Sequence, residues 1–114
     1  MAEFRPGEVV LVRFPFTNLS GAKLRPATVL AAHAQDVVVV GIFSTFPSPL
    51  KPAWVLMGEK DFGFDKTGLK RSSVMKCEKL ATLDQHIIHS TIGRLPQTVF
   101  NEVRRRVKIA LELD

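Results

Sequence analysis

The amino-acid sequence predicts a mainly β fold that ends in one long helix. Two observations support this fold class. Short segments rich in β-branched residues recur along the chain before Pro96, and turns rich in Pro or Gly separate them. After Pro96, apolar side chains instead repeat at spacings of three and four, which is the period of an amphipathic helix. Many strands followed by a single helix predict a compact barrel or rolled sheet with the helix packed on it.

The first three predicted strands lie in the N-terminal half. Residues 8–14 (EVVLVRF) are rich in β-branched side chains, and Pro15 ends this strand. Residues 25–32 form the second strand, and Pro26 can sit at its start, where no ladder donor is required. Residues 36–45 are almost continuously apolar, which indicates a third strand that is covered on both faces.

The second half of the sheet is predicted in shorter pieces. A loop comes first, broken by Pro47, Pro49 and Pro52. Residues 54–57 predict a short strand, and residues 58–70, with three Gly and mixed charge, predict a long loop or hairpin arm. Residues 73–78 alternate and predict another strand. Residues 82–84 can begin a short helical turn, and residues 90–95 predict the last short strand.

The C-terminal segment is the clearest helix in the sequence. Pro96 suits its first helical position. The predicted apolar face consists of Val99, Phe100, Val103, Val107, Ala110 and Leu111. Glu102 precedes Arg106 by four residues, which predicts a favourable surface pair. We expect Arg104, Arg105 and Arg106 to lie on the solvated flank of the helix.

Composition narrows the class of protein. The 114 residues predict a single domain spanning residues 1–114, with 46% apolar and 24% charged residues, as in an ordinary globular protein. The net charge of +5 favours a polyanionic partner, of which nucleic acid is the commonest. No apolar run is long enough to span a bilayer, and no secretion signal is visible. The lone Cys77 forms no intramolecular disulfide, which fits a cytoplasmic protein.

The sequence offers little support for a metal or a cofactor. His86 and His89 lie three residues apart, but no further ligands follow at metal-binding spacings. The glycine-rich motifs that bind nucleotide cofactors are absent from the sequence. We interpret Cys77 as a small core side chain. The sequence therefore predicts a protein that works with its own side chains, without metal or cofactor.

Five segments, in order along the chain, resemble the MazF/PemK toxin family. Residues 7–16 look like its opening strand, and residues 17–27 (TNLSGAKLRPA) look like its first loop and its Arg-Pro signature. Residues 66–74, 80–84 and 92–95 resemble the later blocks of PemK-like members. The similarity covers nearly the whole chain, and the ordered set of blocks is more specific than any single block.

The resemblance implies both a fold and an activity. The fold is an SH3-like β-barrel of the CcdB/MazF type with a long C-terminal helix, normally assembled as a homodimer. The activity is that of a toxin of a type II toxin–antitoxin system. Such a toxin cleaves single-stranded RNA (mRNA) without a metal, and a cognate antitoxin neutralises it. In this chemistry the RNA 2′-OH attacks the neighbouring phosphorus.

The resemblance also assigns residue roles. Arg25, directly before Pro26, matches the catalytic Arg of the family. Its planar guanidinium can hold two phosphate oxygens and stabilise the extra negative charge of the transition state. RNA-binding roles fall on residues of the motif blocks, namely Ser20, Lys23, Lys70 and Arg71.

A second catalytic residue is less well defined. The family has a Thr, in some members a Ser, at the end of the third strand, and here a strict alignment places Phe43 at that position. Chain spacing favours Ser44, one residue further on. Strand alternation favours Thr45, because it shares the face of Phe43 if the strand stays regular. We therefore expect Thr45, with Ser44 as the alternative, to supply the catalytic hydroxyl; the identity of the general base stays open.

Two other functions compete with RNA cleavage. CcdB-like toxins share the fold and poison DNA gyrase by binding it, and fold alone does not separate the two activities. The Arg-Pro pair favours the nuclease, whereas the missing Thr favours the gyrase poison. The second alternative is an SH3-like module that binds RNA or a peptide. Such modules usually expose an aromatic cluster, but this chain has no Tyr, one Trp and eight Phe that mostly fall in apolar patterns.

Overall fold

Six strands and one helix make up the part of the chain that the structure, a computed structural model, describes: residues 3–13 and 23–113. The elements are β1 (Glu8–Arg13), β2 (Leu24–His33), β3 (Asp36–Phe43), β4 (Trp54–Met57), β5 (Ser73–Asp84), β6 (Ile88–Arg94) and α1 (Gln97–Ala110). Two short 3-10 turns, Phe64–Lys66 and Gln85–Ile87, lie between strands. The mainly β fold with a C-terminal helix is therefore confirmed.

The ends of several elements differ from the sequence prediction. β3 ends at Phe43, so Ser44 and Thr45 lie beyond the strand, where the chain bends towards the proline-rich loop. The predicted helical turn is present but begins after Asp84, which caps the 3-10 turn Gln85–Ile87 by accepting a hydrogen bond from His86 N. β5 runs on to Asp84, so residues 82–84 are not themselves helical. These residues instead pair with the N-terminal half of β3, because cross-strand pairing overrides their local preference. Phe14, predicted at the end of the first strand, lies outside the described residues.

The strands form one antiparallel sheet in the order β4-β5-β3-β2-β1-β6. In a closed barrel the two outer strands would pair with each other. Among the described residues β4 and β6 do not pair, so the predicted barrel is wrong in this respect and the hydrogen-bonded ladder is open.

The open sheet is nevertheless rolled. β5 and β6 are separated by three strands in the sheet, yet only Gln85–Ile87 connects them along the chain. The sheet must curl to bring these strand ends so close together. β5 also bends, because Gly41 pairs with Lys76 whereas the adjacent Val40 pairs with Leu80. Such a bulge increases the local twist and helps the sheet to roll.

The long loop between β4 and β5 covers the free side of β6. A Cβ atom added at Gly93 would lie closer than 3.0 Å to the backbone of Lys66 and Thr67, and one added at Gly68 would clash with the carbonyl of Ile92. Gly68 also has a φ of +78°, which side chains rarely adopt. Backbone therefore packs directly on backbone here, and the loop, rather than a strand ladder, joins the two edges of the sheet.

Apolar side chains fill both faces of the sheet. One cluster lies between the sheet and α1 and contains Val9, Val40, Ile42, Val55, Met57, Met75, Cys77, Leu95, Phe100, Val103 and Val107. The other lies on the opposite face and contains Val10, Val12, Ala27, Val29, Val37, Val39, Leu83 and Ile88. Cys77 is a core residue as predicted, and burial is the main reason that its pKa rises to about 12.

The helix follows the predicted period with three corrections. Pro96 precedes the helix as its N-cap residue, because its ψ of 145° is not helical, and the first helical residue is Gln97. Leu111 is 47% exposed, because α1 ends one residue before it and the chain turns away from the core. Arg106 does not lie on a solvated flank. Its Nη1 atom donates hydrogen bonds to the carbonyls of Pro52 (2.8 Å) and Trp54 (2.7 Å). No helix in the described part of the chain has the length and apolar character needed to cross a membrane.

The predicted Glu102–Arg106 pair is confirmed and leads to a pH prediction. Hydrogen bonds from Arg105 and Arg106 lower the pKa of Glu102 from 4.5 to about 2. A carboxylate with a depressed pKa stabilises the fold above the pKa of the unfolded chain, and this stability is lost as the pH falls through the folded value. We expect the melting temperature of Glu102→Gln to be lower than that of wild type at neutral pH. The difference should shrink as the pH falls from about 5 to about 2. A difference that stayed constant in thermal melts over this range would contradict the prediction.

Candidate active site

Arg25 lies near the start of β2, on the face opposite the helix. It pairs with Val12 of β1, and it lies two residues before Ala27 on the same face of β2. Val12 and Ala27 both belong to the second apolar cluster, which lies on the face opposite the helix. β2 and β3 pair as far as Ala27 and Gly41, and Phe43, two residues beyond Gly41, ends the third strand. The guanidinium of Arg25 is exposed and makes no hydrogen bond or ion pair with any residue that the structure describes. A guanidinium held in this way on a rigid strand can bind an anionic ligand by donating hydrogen bonds to it.

The sheet topology brings most of the predicted site residues to one end of the sheet. Arg13 pairs with Leu24, and Phe43 pairs with Val74, so β1 and β3 end where β2 and β5 begin. This end, which we call the catalytic end, carries the exposed residues Lys23, Arg25, Ser44, Thr45, Lys70 and Arg71. Ser20, predicted to bind RNA, lies outside the described residues.

The two hydroxyl candidates follow the end of β3 directly. The preference for Thr45 assumed that the third strand runs through residue 45, and this assumption is wrong because the strand ends at Phe43. The bend at Ser44 interrupts the alternation of faces, so alternation no longer favours Thr45. Both side chains are exposed next to the catalytic end, and both stay candidates.

A second group of functional candidates was missed by the sequence analysis. The Nζ atom of Lys76 lies 4.5 Å from the ring centroids of both Phe43 and Trp54. The Nε1 atom of Trp54 donates to both carboxylate oxygens of Glu78, each at 3.1 Å. Gly41, Lys76 and Trp54 pair across three strands, which places Lys76 on the same face as Arg25. We call Phe43, Trp54, Lys76 and Glu78 the lysine–aromatic cluster.

The histidines lie elsewhere. His86 is exposed, and its Nδ1 atom lies 2.7 Å from Oδ1 of Asp84. Hydrogen bonds from the backbone and the ring of His86 lower the pKa of Asp84. The Nδ1 atom of His89 lies 3.2 Å from Oγ of Ser90. Within residues 3–13 and 23–113, no three His, Cys, Asp or Glu side chains come together as metal ligands.

The catalytic end combines cations with hydroxyl groups. Arg25 and Lys76 lie on one face of rigid strands, and Lys23, Lys70 and Arg71 surround that end of the sheet. Such a cluster of positive charge attracts a polyanion and lines up its backbone. A planar guanidinium, unlike an ammonium, can contact two oxygens of one phosphate group. The arrangement is suited to stabilising negative charge that develops on a phosphodiester.

Comparisons with solved structures show the same fold. The Mycobacterium tuberculosis toxin MazF-mt6 superimposes with a TM-score of 0.72 at 21% identity, covering 96% of this chain and 99% of that chain. An endoribonuclease in complex with its cognate antitoxin, from a Mycobacterial species, gives 0.72 at 22% identity, covering 99% and 98%. MazF from Deinococcus radiodurans gives 0.70 at 20% identity, covering 94% of each chain.

Sequence comparisons give two further results. A search of curated proteins finds no match to this sequence. The sequence model of the family described as PemK-like, MazF-like toxin of type II toxin–antitoxin system matches residues 5–111. This match spans nearly the whole chain, including every described strand and the helix, and it confirms the resemblance found in the motif blocks. The chain therefore belongs to the PemK-like, MazF-like family of toxins of type II toxin–antitoxin systems.

Proposed function

We propose that this toxin is an endoribonuclease that cleaves single-stranded RNA without a metal ion. The observation that carries the proposal is the exposed guanidinium of Arg25, held on a rigid strand among cations at the catalytic end. Membership of the toxin family supports it, and one of the structures with the same fold is itself an endoribonuclease. The proposed charge stabilisation by Arg25 needs no cofactor.

The reaction needs charge stabilisation and two proton transfers. The RNA 2′-oxygen forms a bond to the neighbouring phosphorus, and the bond from phosphorus to the 5′-oxygen breaks. The attacking hydroxyl loses a proton and the leaving oxygen gains one, so the products are a 2′,3′-cyclic phosphate and a 5′-hydroxyl. In our proposal Arg25 binds the non-bridging oxygens, where negative charge increases in the transition state.

The lysine–aromatic cluster supplies the remaining groups of this proposal. Two aromatic rings fix the ammonium of Lys76 on the face that carries Arg25, so Lys76 can bind phosphate as a second cation. The hydrogen bond from Trp54 orients the carboxylate of Glu78 beside it. We assign Glu78 as the candidate proton acceptor, because a free guanidinium is too basic for that role.

The partners follow from the same family. We propose that the toxin forms a homodimer and that a cognate antitoxin protein neutralises it. Complexes of MazE with MazF from Deinococcus radiodurans have the fold of this chain, at TM-scores of 0.68. An antitoxin that covers the cationic catalytic end would block access of RNA to Arg25.

Cleavage in the presence of EDTA is the direct test of the proposed function. We expect the purified protein to cut a defined single-stranded RNA equally well with and without EDTA. End analysis of the fragments should find 2′,3′-cyclic phosphates and 5′-hydroxyls. A strict requirement for Mg²⁺ or Mn²⁺ would contradict the metal-independent mechanism. Intact RNA together with inhibition of DNA gyrase would instead support the gyrase-poison alternative.

The catalytic hydroxyl is tested by a pair of single variants, Ser44→Ala and Thr45→Ala. We expect one of them to cut RNA roughly 10-fold more slowly, which corresponds to losing one hydrogen bond of about 1.4 kcal/mol. The other variant serves as its matched control and should cut at the wild-type rate. Both side chains are exposed, so neither change should alter the melting temperature. Two variants with wild-type rates would show that no hydroxyl after β3 takes part in the reaction.

A further inference from the structure

Phe62 is exposed to solvent in a hydrogen-bonded turn. Its side chain is 92% exposed, far more than any other large apolar side chain that the structure describes. The turn is held at both ends, because Gly58 N donates to the carboxylate of Asp61 (2.6 Å) and Asp61 N donates to the carbonyl of Gly58 (3.0 Å). Phe64 N then donates to the carbonyl of Asp61 (3.1 Å). A large aromatic ring exposed on a fixed turn contributes nothing to the core and is available for binding.

The same turn is anchored against the start of the helix. Gly63, next to Phe62, has a φ of +83°, and an added Cβ atom would lie 2.6 Å from Cγ of Pro96. Glu59 and Ser72 join the two arms of the loop, since Glu59 N donates to Ser72 Oγ (2.9 Å) and Ser72 N donates to the Glu59 carboxylate (3.3 Å). The backbone that carries Phe62 is therefore held in place relative to the helix before any ligand binds.

A pocket of about 540 Å³ lies beside the exposed ring. Phe62 forms one wall, Leu95 and Pro96 contribute apolar surface, and Lys66 and Arg94 contribute positive charge. An exposed aromatic ring, an apolar floor and cations are the features with which proteins bind single nucleotides of an unpaired strand. The base stacks on the ring, and the phosphate pairs with the cations.

We propose that this pocket is a binding subsite for one nucleotide of the single-stranded RNA substrate, distant from the scissile bond. The base stacks on Phe62, and its phosphate contacts Arg94 and Lys66. Gln97 and the carboxylate of Asp65 also line the pocket and can hydrogen-bond to base edges, which gives the subsite a means of preferring some bases. This inference rests on the proposed RNA-cleaving function.

The course of the loop favours RNA over an apolar protein ligand. The loop leaves the sheet after Met57 and returns at Ser73, and these two residues pair at the catalytic end. Lys70 and Arg71 precede Ser73 and are exposed, so cations continue along the loop from the catalytic end to Lys66 beside the pocket. An RNA strand bound at Arg25 can follow these charges to Phe62, whereas an apolar protein ligand gains nothing from them.

The test measures the affinity for an RNA that the protein cannot cut. A fluorescent single-stranded oligonucleotide with 2′-O-methyl groups lacks the attacking hydroxyl but keeps the bases and phosphates. We expect Phe62→Ala to bind it roughly 5- to 150-fold more weakly than wild type, as expected for the loss of one stacked base. Phe62→Trp should retain the wild-type affinity. Leu113→Ala, which removes another exposed apolar side chain (61%), is the matched control and should bind like wild type.

A second measurement separates the charge contacts. The slope of the logarithm of RNA affinity against the logarithm of salt concentration should become shallower by about one unit in Arg94→Gln and in Lys66→Gln, because each variant releases one counterion fewer. Wild-type affinity of Phe62→Ala, in a protein that cuts RNA, would overturn the subsite and leave the proposed function intact. A loss of antitoxin binding with unchanged RNA affinity would also overturn it, because the ring would then be a protein contact. If the wild-type protein neither binds nor cuts RNA, the proposed function itself fails.

Discussion

Replacing Arg25 with alanine should lower the rate of RNA cleavage at least about 100-fold, the usual scale for removing one group that stabilises transition-state charge. The loss is expected because Arg25 is the cation that the proposal places on the reacting phosphate. The fold should survive, since the side chain is exposed and forms no hydrogen bond or ion pair with the described residues. The measurement is a single-turnover cleavage assay, with thermal melts to confirm that the variant is folded.

Two further variants make this result specific. Arg104→Ala removes an exposed Arg of equal charge from the helix and should cut RNA at the wild-type rate. Arg25→Lys keeps the charge but loses the planar fork, so we expect an intermediate rate. A folded Arg25→Ala variant that cut RNA within a few-fold of wild type would falsify the assignment of Arg25.

A large effect on stability is expected for Gly93→Ala. The new methyl group would overlap the backbone of Lys66 and Thr67, which has no flexible end that could move aside. The loop must then separate from β6, and we expect a loss of about 3 kcal/mol, at the upper end for an overpacked site. For a protein of this size the melting temperature should fall by roughly 10 °C.

A glycine variant in the loop that packs on β6 controls for the added methyl group. At Gly58 the nearest atom to an added Cβ is a carboxylate oxygen of Asp61 at 3.1 Å, at the flexible end of a side chain. Gly58→Ala should therefore be markedly less destabilising than Gly93→Ala. Equal melting temperatures for Gly93→Ala and wild type would show that the loop does not depend on contact with β6. If Gly93→Ala does not fold at all, the comparison with a folded Gly58→Ala still supports the predicted contact.

Local sequence patterns predicted the elements whose structure depends on near neighbours. The strand at Trp54–Met57 and the helix period were correct because β-branched content, proline breaks and apolar spacing act within a few residues. Arg25 stays a proposed catalytic residue, and the sequence could indicate it because its signature, an Arg followed by Pro26 after a turn-rich loop, is contiguous in the chain. Such features are visible without knowing the fold.

Features that depend on distant partners could not be predicted in this way. The length of β5 is set by pairing with β3, and the roll of the sheet is set by the short link to β6. The lysine–aromatic cluster gathers Phe43, Trp54 and Lys76 from three strands, so no single segment indicates it. In the sequence Arg106 looks like the two arginines before it. Only the fold brings the carbonyls of Pro52 and Trp54 within hydrogen-bonding distance of its side chain.

The position of Arg106 has a consequence for aggregation. β4 is an outer strand of the sheet, and the unpaired peptide groups of such a strand are a template on which other chains can add. Trp54 N donates to the carbonyl of Lys51, and Arg106 occupies the carbonyl of Trp54. Peptide groups alternate in direction along a strand, so the next residues whose N–H and C=O groups point away from the sheet are Leu56 and Gly58. The N–H of Gly58 donates to the carboxylate of Asp61, and its carbonyl accepts from the N–H of Asp61. An incoming strand would therefore find hydrogen-bonding groups only at Leu56, too few to start a cross-β stack.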